Sequence, residues 1–143
     1  MRVISIAGLL LVLAAGAVLI LVQALFSASA AVIAVQAAAI ALMVWARLTL
    51  GRRSLHAAAD PTEGEFVQTG PYRFIRHPIY AAACLFCWAG ILANTRAASV
   101  AGGIMLLAGS AIRMAAEERL LVKHYPGYGA YMKKTKRMIP FVF

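Results

Sequence analysis

Four long apolar stretches, nearly free of charge, constrain this chain more than anything else in it. The first, Val3 to Phe26, is interrupted only by Ser5 and Gln23. At 1.5 Å per residue it reaches about 36 Å, enough to cross a hydrocarbon core of about 30 Å. A tight turn at Ser27 to Ser29 leads into a second stretch from Ala30 to Leu50, a third covers Pro78 to Ala93, and a fourth runs from Ala97 to Ala116. The third reaches only about 24 Å, so one end sits below the headgroups, where irregular backbone must line a protein cavity. The pattern predicts an all-α fold in one domain of residues 1–143. It is a polytopic membrane helix bundle of four transmembrane helices (about 3–26, 30–50, 78–93 and 97–116), a polar loop over 51–77 and a C-terminal helical tail over 117–143. Met1-Arg2, the apolar run and Ala28-Ser29-Ala30 also have the form of a secretory signal. The run is too long for an h-region and is read as a retained helix.

Composition supports the membrane reading and narrows the function. Hydrophobic residues make up 63% and charged residues 13%, against about 25% charged in soluble chains. That excludes intrinsic disorder and a polar binding module. The formal net charge of +9 would suit nucleic acid if it lay on one soluble face. Instead, with four spans, thirteen of the fourteen Lys and Arg residues fall on one side and only Arg96 on the other. Such asymmetry places both termini and the long loop in the cytoplasm. It predicts an integral protein of a bacterial-type inner (cell) membrane and no nucleic-acid partner. Cys84 and Cys87, three apart in an apolar run, lack companion ligands and are read as packing residues, with no metal site.

Two segments carry groups capable of chemistry. In Thr69-Gly70-Pro71-Tyr72-Arg73-Phe74-Ile75-Arg76-His77-Pro78-Ile79-Tyr80, Gly-Pro sets a turn and Pro78 biases His77 towards extended backbone while opening a helix. Arg76 and His77 thereby arrive at the bilayer edge beside a helix N-terminus, a setting for a carboxylate or phosphate. A basic anchor for headgroups uses the same residue types. The second segment begins with Glu117 and Glu118, adjacent acids at the end of an almost charge-free run. Carboxylates there are costly and tend to be functional, although Glu117 also stands four residues after Arg113, in position for a helical ion pair. Tyr128 and Tyr131 share a face if their segment is helical, as ligand-stacking or interfacial aromatics. No dinucleotide fingerprint, Walker loop or metalloprotease pair occurs.

Gly70-Pro71-Tyr72-Arg73 followed by Arg76-His77-Pro78-Ile79-Tyr80 resembles the signature of isoprenylcysteine carboxyl methyltransferases and the related phospholipid N-methyltransferases. Glu117-Glu118, Leu121, Tyr128, Tyr131, Arg137 and Pro140-Phe141 resemble that family's second block, in the right order. The resemblance implies an integral-membrane methyltransferase that uses S-adenosylmethionine, releases S-adenosylhomocysteine and takes a lipophilic acceptor from the bilayer. That acceptor is an isoprenylcysteine-type carboxylate or a phospholipid amine. It further implies that Tyr72, Arg73, Arg76, His77, Pro78 and Tyr80 bind the cofactor, with His77 and the arginines on its methionine part. Glu117 or Glu118 takes its amino group or ribose, and Tyr128 and Tyr131 cover it. Arg137 and Glu118 are the implied catalytic residues. A homodimer is one way for so small a chain to complete its pocket.

Two other classes share some of these features. NADPH-dependent membrane reductases of sterol-like lipids have tails similar to Arg137-Met138-Ile139-Pro140-Phe141, but need more spans and a larger nucleotide pocket. The other is a non-enzymatic four-span transporter or assembly protein; a proton-coupled transporter wants an intramembrane acid, and the first three stretches contain none.

Overall fold

The computed structural model describes residues 2–51 and 66–139. Among them the chain is helical throughout its ordered elements: α1 (Arg2–Leu21), α2 (Ala30–Leu50), α3 (Pro78–Ala93), α4 (Ala97–His124) and α5 (Tyr128–Lys134). A 3-10 turn, Gly70–Arg73, precedes α3. Three helices are long and apolar enough to cross a membrane: α1, α2 and α4. The expected fourth span, α3, has the predicted bounds but only 16 residues, short of that length. Helix α1 packs chiefly on α4 and α2 on α3, and contacts between α3 and α4 join the two pairs. Small residues admit the close α1–α4 approach, with Gly8 and Ala15 on one side and Gly102 and Gly109 on the other.

Two boundaries differ from the pattern reading. Helix α1 stops at Leu21 rather than Phe26 because Gln23 turns left-handed, at φ 53°. The Ala24 amide then donates to the Leu19 carbonyl and the Gln23 amide to that of Ile20, closing the last turn as a Schellman motif does. The freed residues fold back onto α3. Gln36 donates to the Leu25 and Phe86 carbonyls at 2.6 and 3.3 Å, and Gly90 lies so close that a Cβ there would run into the Leu25 carbonyl oxygen. At the other boundary α4 does not end at Ala116 but continues for two more turns to His124. Its 28 residues reach about 42 Å, longer than the hydrocarbon core. Glu117 and Glu118 therefore stand on the spanning helix itself, not on a separate tail.

The chain leaves α4 through Tyr125, forms α5 and then returns in extended form. Lys136 pairs in parallel with Ile75, an isolated bridge just before α3. Gly70 permits the turn on the other side: its φ is +57°, and a Cβ would meet Thr49 Oγ1 at 2.5 Å, which only glycine avoids. Arg52, Arg53, His56, Asp60, Glu63 and Glu65 of the expected loop, and Pro140-Phe141, lie outside the described residues.

Candidate active site

The bridge between Ile75 and Lys136 decides which side chains meet. Arg76 and His77 each donate a backbone N–H to the returning tail, to the carbonyls of Lys136 and Arg137 at 2.8 and 2.9 Å. The two amides just before α3 are thus already taken by protein. What the turn delivers to the site is side chains. Pro78 opens α3 fully buried, which aims Arg76, His77 and Tyr80 at the glutamates of α4.

Glu118 is the centre of the arrangement and is 3% exposed. Arg76 Nε donates to its Oε1 at 2.8 Å and Arg137 Nη2 to its Oε2 at 2.9 Å. The His77 ring nitrogen Nε2 lies 3.3 Å from Oε1. An isolated buried carboxylate would cost several kcal/mol, and partners on both oxygens offset that. Arg76 is itself fixed, since its Nη1 donates to the carbonyls of Met132, at 3.1 Å, and Thr135. One carboxylate thereby ties the turn before α3 to the tail after α5.

Glu117 builds a second group on the adjacent face. Tyr80 donates its phenolic O–H to Glu117 Oε1 at 2.5 Å and accepts from Arg113 Nε at 2.6 Å. Arg113 Nη2 reaches the same Oε1 at 3.3 Å, and its Nη1 donates to the Ser5 carbonyl of α1. The predicted helical pair of Arg113 with Glu117 exists, but within a network joining three helices. His77 sits between the two acids, its Nδ1 3.7 Å from Glu117 Oε2. Among these described groups, three guanidiniums face two carboxylates, a positive balance before His77 is counted.

The aromatic residues pack behind this cluster. Tyr125, Tyr128 and Tyr131 are buried against Phe66, with ring centres 5.6, 5.1 and 5.2 Å from it. Tyr131 donates its hydroxyl to the Tyr72 carbonyl at 2.6 Å, a second tie between turn and tail. Burial pushes the Tyr131 phenol up to about 12 and raises Tyr72 and Tyr128 as well, helped by the charges of Glu117 and Glu118. All three are neutral hydroxyls near pH 7.

Of the site residues expected from sequence, Arg76, His77, Tyr80, Glu117, Glu118 and Arg137 are in direct contact. Tyr72, Pro78, Tyr128 and Tyr131 form the packed wall around them. Arg73 is not brought in: it is exposed, with its guanidinium over the Phe74 ring at 4.7 Å. Sequence reading missed Thr135 and Phe66, which carry no signal beyond their neighbours. It also undervalued Arg113, whose place as the single charge in the fourth stretch was visible. No group of three or more His, Cys, Asp and Glu among the described residues is arranged to hold a metal ion.

The chain matches the phospholipid methyltransferase family over residues 5–127, which includes most of α1, all of α2 to α4, the turn and both glutamates. It belongs to that family. No curated protein and no solved structure matches the chain. As a phospholipid methyltransferase family member it belongs with methyltransferases, and its three long apolar helices fit integration in a membrane.

Proposed function

We propose that this phospholipid methyltransferase family member moves a methyl group from S-adenosylmethionine to the amine of a membrane phospholipid. The observation that carries the reading is the gathering of Arg76, His77 and Arg137, from two segments distant in sequence, around Glu118. A chain with few charged residues that buries so many of them at one end is holding them for a ligand.

The donor set fits the cofactor. Arg76, His77 and Arg137, with their positive balance, suit the carboxylate of its methionine part. Glu117 and Glu118 suit its amino group or ribose hydroxyls, and Tyr128 and Tyr131 supply an aromatic wall. When bound, the cofactor supplies an electrophilic methyl group on a sulfonium. Reaction by in-line displacement rewards alignment of the partners, and the double tie between turn and tail keeps the binding groups fixed. The excess of Lys and Arg at the same end supports a cytoplasmic orientation for the site, with the lipid arriving laterally from the bilayer. The family's description supports a phospholipid over an isoprenylcysteine carboxylate as acceptor.

Calorimetry on the detergent-purified protein tests the cofactor. Binding of S-adenosylhomocysteine with no response to NADPH is the expected result. Binding of NADPH alone would transfer the case to a reductase. Incubation of membranes with a labelled methyl donor then identifies the acceptor by the lipid that carries the label.

A further inference from the structure

The bridge between turn and tail has an outer side that takes no part in the site. Thr135 is buried and Arg137 reaches Glu118, whereas Lys136 between them is exposed. On the facing segment Ile75 is buried, whereas Arg73 and Phe74 before it are exposed. The Lys136 amide donates to the Phe74 carbonyl at 3.4 Å, which sets these two residues side by side. Arg73 lays its guanidinium over the Phe74 ring at 4.7 Å. Lys133 and Lys134, in the last turn of α5, are exposed as well. The two acids among the described residues, Glu117 and Glu118, are engaged on the inner side with Arg76, Arg113 and Arg137.

The depth of this outer side follows from α2. Its 21 residues reach about 31 Å, so its last turn lies at the edge of a hydrocarbon core about 30 Å thick. The Gly70 turn is seated on that last turn, so close that a Cβ on Gly70 would strike Thr49. Trp45, one helical turn before Thr49, is half exposed, as tryptophans at the membrane interface are. The exposed cations and the Phe74 ring therefore stand at headgroup level. An aromatic ring suits the acyl boundary, and ammonium and guanidinium groups suit lipid phosphate.

From this arrangement we infer that Arg73, Phe74, Lys133, Lys134 and Lys136 form a docking surface for anionic phospholipids of the surrounding leaflet. A lipid surface fits better than a soluble acidic partner, because the cations flank an exposed aromatic ring level with the end of a spanning helix. Each basic group close to an anionic leaflet raises affinity about fivefold. The docking also bears on the site, a consequence that rests on the methyl-transfer reading above. The segment that turns Lys136 outward turns Arg137 inward to Glu118, and its carbonyls accept from the Arg76 and His77 amides. Lipid that holds Lys136 from outside holds the tail against the turn, so cofactor affinity rises with the anionic content of the leaflet.

The test uses the full chain in two settings. Native mass spectrometry in detergent, with dioctanoyl phosphatidylglycerol or dioctanoyl phosphatidylcholine added, reads lipid retention. Calorimetry with S-adenosylhomocysteine reads the site, in nanodiscs of phosphatidylcholine alone or with about a third phosphatidylglycerol. The native chain is expected to retain the anionic lipid about tenfold more than the zwitterionic one, a preference that fades as ammonium acetate rises. Combining Arg73→Gln with Lys136→Gln should cut the preference to about twofold or less and make cofactor affinity equal in the two discs. Combining Arg73→Lys with Lys136→Arg should keep both native properties. In detergent without added lipid all three proteins are expected to bind S-adenosylhomocysteine alike. Equal retention of both lipids by the native chain would overturn the docking surface, and so would native retention by the glutamine variant. A native chain with the same cofactor affinity in both discs would overturn the hold on the tail. One that binds no S-adenosylhomocysteine in either disc would sink the methyltransferase reading, while lipid retention would still decide the docking.

Discussion

The two ends of the bundle solve the problem of polar groups near a membrane in opposite ways. At the Arg96 end, neutral side chains satisfy backbone carbonyls. Gln36 donates to Leu25 and Phe86, Asn94 to Phe26 and Gly90, and Ser99 to Asn94 and Arg96. Each closes a turn or seals a loop, and no charge is buried there by these contacts. At the opposite end, charged and polar side chains satisfy one another: Arg76, His77 and Arg137 on Glu118, Arg113 and Tyr80 on Glu117. Amide-to-carbonyl bonds cost little to bury and serve structure. A buried ion cluster is a poor source of stability, and its presence, among the described residues, at one end of the bundle supports the proposal that this end is the place of function.

Three substitutions break or sharpen this contrast. The largest effect is expected for Glu118→Gln, which leaves Arg76 buried without its counter-charge. The expected loss is about 3–5 kcal/mol of stability, together with loss of S-adenosylhomocysteine binding in the fraction still folded. Denaturation in detergent and calorimetry read the two quantities, and normal binding would reduce the cluster to a structural device. Gly90→Val comes next. Its new side chain meets the Leu25 backbone, which cannot move as a flexible side chain would, and overpacking of this kind costs about 1–3 kcal/mol. Because the clash lies at the other end, cofactor affinity of the folded protein should stay native; a parallel loss of affinity would mean the two ends are coupled. The smallest effect belongs to Arg73→Ala, which removes only an exposed contact with Phe74. Stability is expected to change by about 0.5 kcal/mol or less with cofactor affinity unchanged. A tenfold weakening would restore Arg73 to the binding set that the signature implied.

Much of the fold was legible because spans are read from hydropathy and length alone. The bounds of α2 and α3 coincide with the predicted stretches. The end of α1 was not legible, because a left-handed glutamine gives no compositional cue. Nor was the reach of α4 past Ala116, since two adjacent glutamates look like an ending until Arg76 and Arg137, from elsewhere in the chain, pair with Glu118. For the site, the motif segments named most of the residues that meet. They did not separate Arg76, turned inward to Glu118, from Arg73, turned outward to Phe74.

The sequence by itself determined the apolar helices, the gathering of basic residues at one end and the membership of the family, because these are properties of composition and of local order along the chain. Only the tertiary structure decided which glutamate is enclosed and which is presented. The two are neighbours in sequence with the same chemistry. One residue's step around α4, about 100°, turns Glu118 to the returning tail and Glu117 to the start of α3. Their different surroundings come from segments 19 to 42 residues away, and no local pattern carries that information.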